Sequence, residues 1–274
     1  MSTTHTTLPL PGSERPVEKL PGHWVLASLG KRVLRPGGRR LTERLLEVLD
    51  IGSGDEVVEF APGMGATARM TLARQPATYT AVERDAGAAA IVRRYLAGSN
   101  QRCVLGEAEA TGLPTGSATV VYGEAMLTMQ PADKKHHIVA EAHRLLRPGG
   151  RYGIHEMCIT PDDLSADARN QIEHNLAGEI RVGARPLTCA KWRQLLEAAG
   201  FEIVAEEQLP MRLLEPSRLI QDEGLFGALR FVGNLLRQGD ARRRVLGMRR
   251  VFRKHREHLG AVMLVGRKPG EPGQ

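Results

Sequence analysis

Glu59-Phe60-Ala61-Pro62-Gly63-Met64-Gly65 is the stretch on which the reading of this chain turns. It follows the apolar pair Val57-Val58 and opens into a helix-compatible run from Ala66. A strand that ends in small residues and turns straight into a helix can cradle a nucleotide. The small residues let the backbone approach a ligand, and the helix N-terminus offers unpaired N–H groups. Glu83 closes the next strand-like run, Tyr79-Thr80-Ala81-Val82. Its offset is close to the roughly 20 residues expected between a glycine loop and a ribose-binding carboxylate. The loop alone fits many nucleotide folds, and Glu83 narrows the choice.

Outward from the loop, strands and helices alternate from about 55 to 270, which predicts a layered α/β sheet. Strands are expected at 56–61, 79–83, 102–105, 118–123, 151–158, 201–208 and 261–265. Leu41, Leu45 and Leu49 mark a first helix over 41–49. Further helices are expected at 65–75, 86–97, 132–146, 165–180 and 189–199. Arg147-Pro148-Gly149-Gly150 ends the helix at 132–146. The same tetrapeptide at 35–38 reads as repeated turn chemistry.

The 274 residues suffice for a substantial core, and the composition is that of a soluble globular protein. No apolar run reaches the roughly 18 residues that cross a bilayer. Met1 to Leu10 lacks the basic-then-apolar order of a signal peptide, and residues 1–18 read as a loose tail. Cys103, Cys158 and Cys189 show neither metal spacing nor a disulfide framework, so the cytoplasm is the expected home.

The net charge of +7 is unevenly placed: 216–258 holds eleven Lys/Arg against four Asp/Glu, which accounts for all of it. This segment reads as two helices broken near Gln238-Gly239-Asp240, with Leu225, Leu229, Val232 and Leu236 at helical spacing. Three readings stay open: a lid attracting an anionic or lipid-like acceptor, a membrane-surface element, and a homodimer contact. Nucleic acid is disfavoured, because aromatics are few and no reading motif is present.

Assembled, these pieces resemble the class I S-adenosylmethionine-dependent methyltransferases, in their small-molecule branch. That branch (methyltransferase type 11) includes the ubiquinone and menaquinone biosynthesis enzymes. Four features carry the likeness: Glu59 to Gly65; Glu83; Gly106-Glu107-Ala108-Glu109 with Leu113-Pro114; and Leu145-Leu146-Arg147-Pro148-Gly149-Gly150. The resemblance implies a Rossmann-like, seven-stranded, mostly parallel α/β sheet whose last strand is antiparallel, with helices on both faces. It divides the chain into a tail at 1–18, an N-terminal helical lid at 19–54, a core at 55–215 and 259–270, and a basic helical insertion at 216–258.

The resemblance also implies roles. Gly63 and Gly65, with Ala61, would wrap the methionine part of S-adenosylmethionine, and Glu59 beneath them would help fix its amino group. Glu83 would accept hydrogen bonds from both ribose hydroxyls, with Arg84 beside it. Glu107 and the Ala108 N–H would read the adenine edge, and Glu124 would lie near the methionyl end. No metal is implied. Ala61 stands where the family usually has Gly, and Glu107 where Asp is commoner.

Methyl transfer from a sulfonium requires alignment and exclusion of water. A hydroxyl or acidic-carbon acceptor also needs a base. His155 and Glu156 lie in the strand expected at 151–158, near the face where open α/β sheets bind ligands. Imidazole, with a pKa of about 6.5, suits proton removal. His23, in Pro21-Gly22-His23-Trp24, is a second candidate, on the expected lid. His155 tilts the expectation toward O-methylation of a small, apolar or anionic molecule. Met126, Met129, Met157 and Met211 suit a pliable apolar pocket, or a core. Two other readings remain: a cofactor-binding or membrane-associated module without catalysis, and an NAD-dependent dehydrogenase. Gly106–Ala108 and the last strand disfavour the dehydrogenase.

Overall fold

The computed structural model describes residues 16–270, so most of the tail expected at 1–18 lies outside the described residues. Eight strands form one sheet: β1 (Glu56–Phe60), β2 (Thr78–Glu83), β3 (Gln101–Leu105), β4 (Ala118–Glu124), β5 (Leu146–Ile159), β6 (Leu187–Thr188), β7 (Glu202–Pro210) and β8 (Leu259–Arg267). Their order is β3-β2-β1-β4-β5-β8-β7, with β6 beside β5. β1 to β5 pair in parallel, and β8 lies antiparallel between β5 and β7. The order reverses at β1/β4, which is where an open α/β sheet leaves a crevice at its strand ends.

The helices are α1 (Gly22–Ser28), α2 (Gly38–Leu49), α3 (Ala66–Leu72), α4 (Ala86–Arg93), α5 (Ala132–Leu145), α6 (Ala166–Ile180), α7 (Cys189–Ala198), α8 (Pro216–Arg237) and α9 (Gly239–Lys254). Alternate residues of β8 serve opposite faces of the sheet, as strand geometry requires. Val262 and Leu264 join Ile138, Leu145 and Trp192 on one side. Ala261, Met263 and Val265 join Leu41, Leu45 and Leu49 of α2 on the other. Gly153 lets α2 come close, since a Cβ there would lie 2.7 Å from Leu45 Cδ1. A third cluster binds α1, α6, α8 and α9 together through Leu26, Leu176, Phe231, Val245 and Met248.

Departures from the sequence reading are local: β5 begins at Leu146, so Arg147–Gly150, expected as a turn, forms the start of that strand directly after α5. The helix expected at 86–97 stops at Arg93, ahead of the turn around Gly98. β6 is two residues long, too short to show a periodicity. α2 begins three residues earlier than its leucines predict. Its first turn is held by Asp222, whose Oδ1 accepts from the Arg39 N–H at 2.9 Å. That cap comes from α8, so no local pattern announces it.

Candidate active site

The turn after β1 is built on left-handed backbone. Ala61, Gly63 and Gly65 have φ of 51°, 56° and 68°. The Ala61 N–H donates to Val82 O at 2.9 Å, tying the turn to β2. Glu83, at the end of β2, accepts from Gly63 N–H at 3.2 Å and Asp85 N–H at 3.0 Å. Burial pushes its pKa up, and these backbone donors oppose the rise. A Cβ on Gly63 would meet nothing within 4 Å.

That open space belongs to a cavity of about 490 Å³. Glu59, Ala61, Gly63, Glu83, Arg84, Glu107, Ala108 and Glu124 all line it. Gly65, the remaining cofactor position named from the sequence, sits behind the turn, where a Cβ would come within 2.9 Å of the Tyr95 ring. Lys134 pairs with Glu109 at 2.6 Å and lies 3.8 Å from Glu107 at the cavity edge.

Two buried carboxylates in this wall are tuned in opposite directions. Glu59 Oε2 accepts from Tyr79 and Tyr122 hydroxyls at 2.5 and 2.7 Å. Burial nevertheless raises its pKa to about 7, with the tyrosine hydrogen bonds pulling the other way. Burial would raise Glu124 too, but the Arg35 guanidinium, with the His155 and Thr42 hydrogen bonds, holds it at about 2. Arg35 Nε lies 2.8 Å from Glu124 Oε2, and Thr42 Oγ1 donates to Oε1 at 2.5 Å. Thr67 donates to Oε2 as well. Glu124 is therefore a fixed negative charge at neutral pH.

His155 and Glu156 do not reach the cavity, contrary to the sequence expectation. Both are fully buried. The Gly37 N–H donates to His155 Nε2 at 2.9 Å. Nε2 must then carry the lone pair, so Nδ1 carries the proton and donates it to Glu124 Oε1 at 2.8 Å. With both nitrogens engaged, the ring has no lone pair to offer an acceptor. Glu156 accepts from the Met126, Leu127 and Thr128 N–H groups at 2.9, 2.8 and 3.0 Å, and from the Thr128 hydroxyl at 2.7 Å. It shapes the loop after β4 from behind.

His23 does line the cavity, from α1. Burial and the neighbouring Arg84 lower its pKa to about 4, against the opposing pull of Asp85. Apolar side chains line the wall as well: Leu26, Leu34, Ile180, Leu213, Met248 and Phe252, with Arg32, Thr128 and Gln130 among them. Met126, Met129 and Met157 line it too, whereas Met211 packs in the helical cluster. Arg35 and Thr42 were not anticipated as site residues. The one signal for them was Arg35-Pro36-Gly37-Gly38, legible only as a turn.

A sheet with this order, an antiparallel last strand, a left-handed glycine turn after β1 and an acid closing β2 defines a Rossmann-like methyltransferase fold. Residues 57–150 match the family described as "Methyltransferase domain". The chain is 33% identical over 248 residues to an uncharacterized protein of Haemophilus influenzae, covering 88% of this chain and 96% of that one. It is 28% identical over 239 residues to 27-O-demethylrifamycin SV methyltransferase of Amycolatopsis mediterranei, covering 84% and 83%. The crystal structure of the [4+2]-cyclase SpnF matches with a TM-score of 0.66 at 20% identity, over 90% of this chain and 92% of that one, a likeness of fold. The chain belongs to the class I S-adenosylmethionine-dependent methyltransferases.

Proposed function

We propose that this protein transfers a methyl group from S-adenosylmethionine to oxygen on a small, largely apolar molecule. The observation that carries the reading is a single cavity with two chemistries: carboxylates beside the glycine turn, and apolar side chains from the helices opposite. The open space at Gly63 and the buried acid at Glu83 fit the cofactor. When bound, the cofactor supplies a methyl group made electrophilic by its sulfonium. Glu83 would hold the ribose hydroxyls, Glu107 and Ala108 the adenine, and Glu59 the amino group. Glu124, ionised and braced by Arg35, would favour the cationic end, and Arg35 offers a partner for the carboxylate.

His23 is the base in this reading. It is the one histidine on the cavity wall among the described residues, and it is neutral at physiological pH. Its ring can accept the proton of an attacking hydroxyl. The name of the rifamycin relative, which acts at an oxygen, supports the same choice of acceptor atom. His155 becomes a positioning residue that orients Glu124 and the turn carrying Arg35. In the proposed domain plan, 19–54 and 216–258 together cap the core. The free Cys158 and Cys189 fit the cytoplasm.

Incubation of the protein with cell extract and methyl-labelled cofactor, followed by identification of the labelled product, tests the proposal. Label in an ether oxygen of an apolar molecule is expected. Label on carbon or nitrogen would overturn the oxygen assignment, and absence of label would favour a module without catalysis. With the acceptor in hand, His23→Ala should lower turnover about 100-fold while leaving S-adenosylhomocysteine binding within a few-fold. Unchanged turnover would remove the base.

A further inference from the structure

We infer that the outer face of α8, with the basic surface of α9, docks on an anionic lipid surface. Gly224, with φ 73° and ψ 169°, interrupts α8 and sets its second part on a new course. That part buries Ala228 and Phe231, and Phe231 joins the apolar cluster of α1, α6 and α9. Its opposite side presents Leu225, Phe226, Leu229, Val232 and Leu236, each between 43% and 87% exposed. Leu225, Leu229, Val232 and Leu236 fall on one stripe at helical spacing. A stripe of large apolar side chains turned to solvent marks an interaction surface.

Charge decides what covers it. Between 224 and 256 there are ten Lys/Arg and one acid, Asp240. Asp240 is already paired with Arg243. Arg230 and Arg237 flank the apolar stripe, and Arg242 and Arg250 extend the exposed basic surface along α9. A second copy is a poor occupant, because a two-fold contact through this face would bring the arginines of one copy against those of the other. Nucleic acid would satisfy the charge but leave the aliphatic stripe in water. An anionic bilayer satisfies both: the stripe enters the acyl boundary and the arginines meet headgroup phosphates. No described helix is long and apolar enough to cross a membrane, so the contact lies in the interface plane. The same insertion supplies Met248 and Phe252 to the cavity wall. The docking inference does not depend on which reaction the cavity performs.

Flotation of the full chain with vesicles tests it. The protein should float with phosphatidylglycerol–phosphatidylcholine vesicles and stay behind with phosphatidylcholine alone. The double variant Phe226→Ser, Leu229→Ser should lower partitioning roughly tenfold or more, with the melting temperature and S-adenosylhomocysteine binding unchanged. Arg242→Gln with Arg250→Gln should weaken binding and flatten its salt dependence. No flotation with anionic vesicles would overturn the inference. So would a wild-type dimer that the Phe226/Leu229 variant renders monomeric, or preferential binding of RNA over anionic vesicles.

Discussion

Ala61 stands in a left-handed turn where the absence of a side chain would be easier to accommodate, and the structure shows what holds it there. Its φ of 51° is the left-handed region that an L side chain enters at a cost of roughly 1–2 kcal/mol. The hydrogen bonds of Ala61 N–H to β2 and of Gly63 N–H to Glu83 hold it there. Ala61→Gly should therefore raise stability by about 1 kcal/mol in urea melts; a loss would show that the turn is unstrained. Glu59 gives a pH prediction. Its carboxyl titrates about 7 in the folded chain against an ordinary value of 4.5, so the folded state holds the extra proton between them. The stability this contributes is fully present below the ordinary value and is lost as pH rises through about 7. Glu59→Gln should flatten that part of the stability–pH curve; an unchanged curve would place the titration elsewhere. If Glu59 meets the cofactor amino group, S-adenosylhomocysteine binding near neutral pH releases a proton that calorimetry in two buffers detects, and Glu59→Gln abolishes the release. For His155, loss of the ring leaves the Gly37 N–H without its acceptor and takes one donor from Glu124, which keeps Arg35, Thr42 and Thr67. His155→Ala should cost about 2 kcal/mol of stability and weaken cofactor binding, with the pH profile of turnover unmoved. A displaced pH profile would return His155 to the chemistry.

Elements far apart in sequence are joined by buried charge between the segment ahead of α2 and α8. Lys31 Nζ lies 3.2 Å from Asp222 Oδ2 and 3.7 Å from Glu223 Oε1, all with side chains 3% exposed or less. Glu223 Oε1 also accepts from the Arg32 and Val33 N–H groups at 2.8 Å each. Together with the Asp222 cap on α2, these bonds fix the stretch from Lys31 to Arg39. That stretch carries Arg35 to Glu124 and Gly37 to His155. α8 thus holds the segment that braces the cavity. Asp222→Ala removes one partner of a buried pair and should cost about 3–5 kcal/mol. It should also speed hydrogen exchange at Arg39 before it does so in the β4–β5 core. Exchange that rises uniformly across the chain would mean that the clamp is not a local device.

Across the whole molecule, what could be read from the sequence was what local spacing encodes. β1, the glycine turn, Glu83 and the end of α5 ahead of Arg147–Gly150 each sit within one continuous motif, and the antiparallel last strand came with the family resemblance. The helical character of 216–258 and its break near Gln238 were legible too, from periodicity, whereas the kink at Gly224 was not. What escaped depends on contacts between distant segments. His155 looked like a base because it lies in the C-terminal half of a strand near the ligand face. Only the folded chain shows Gly37, 118 positions away, occupying its lone pair. The clamp at Lys31 and the Arg35–Glu124 pair were hidden for the same reason. In the proposed function, this cavity holds a sulfonium methyl donor through Glu83. Titration calorimetry with S-adenosylhomocysteine and with NAD tests it most directly. One S-adenosylhomocysteine site is expected on the wild-type chain, with no NAD binding, and affinity about 100-fold weaker in a folded Glu83→Ala variant. Binding of NAD in place of S-adenosylhomocysteine, or equal S-adenosylhomocysteine affinity in the variant, would contradict it.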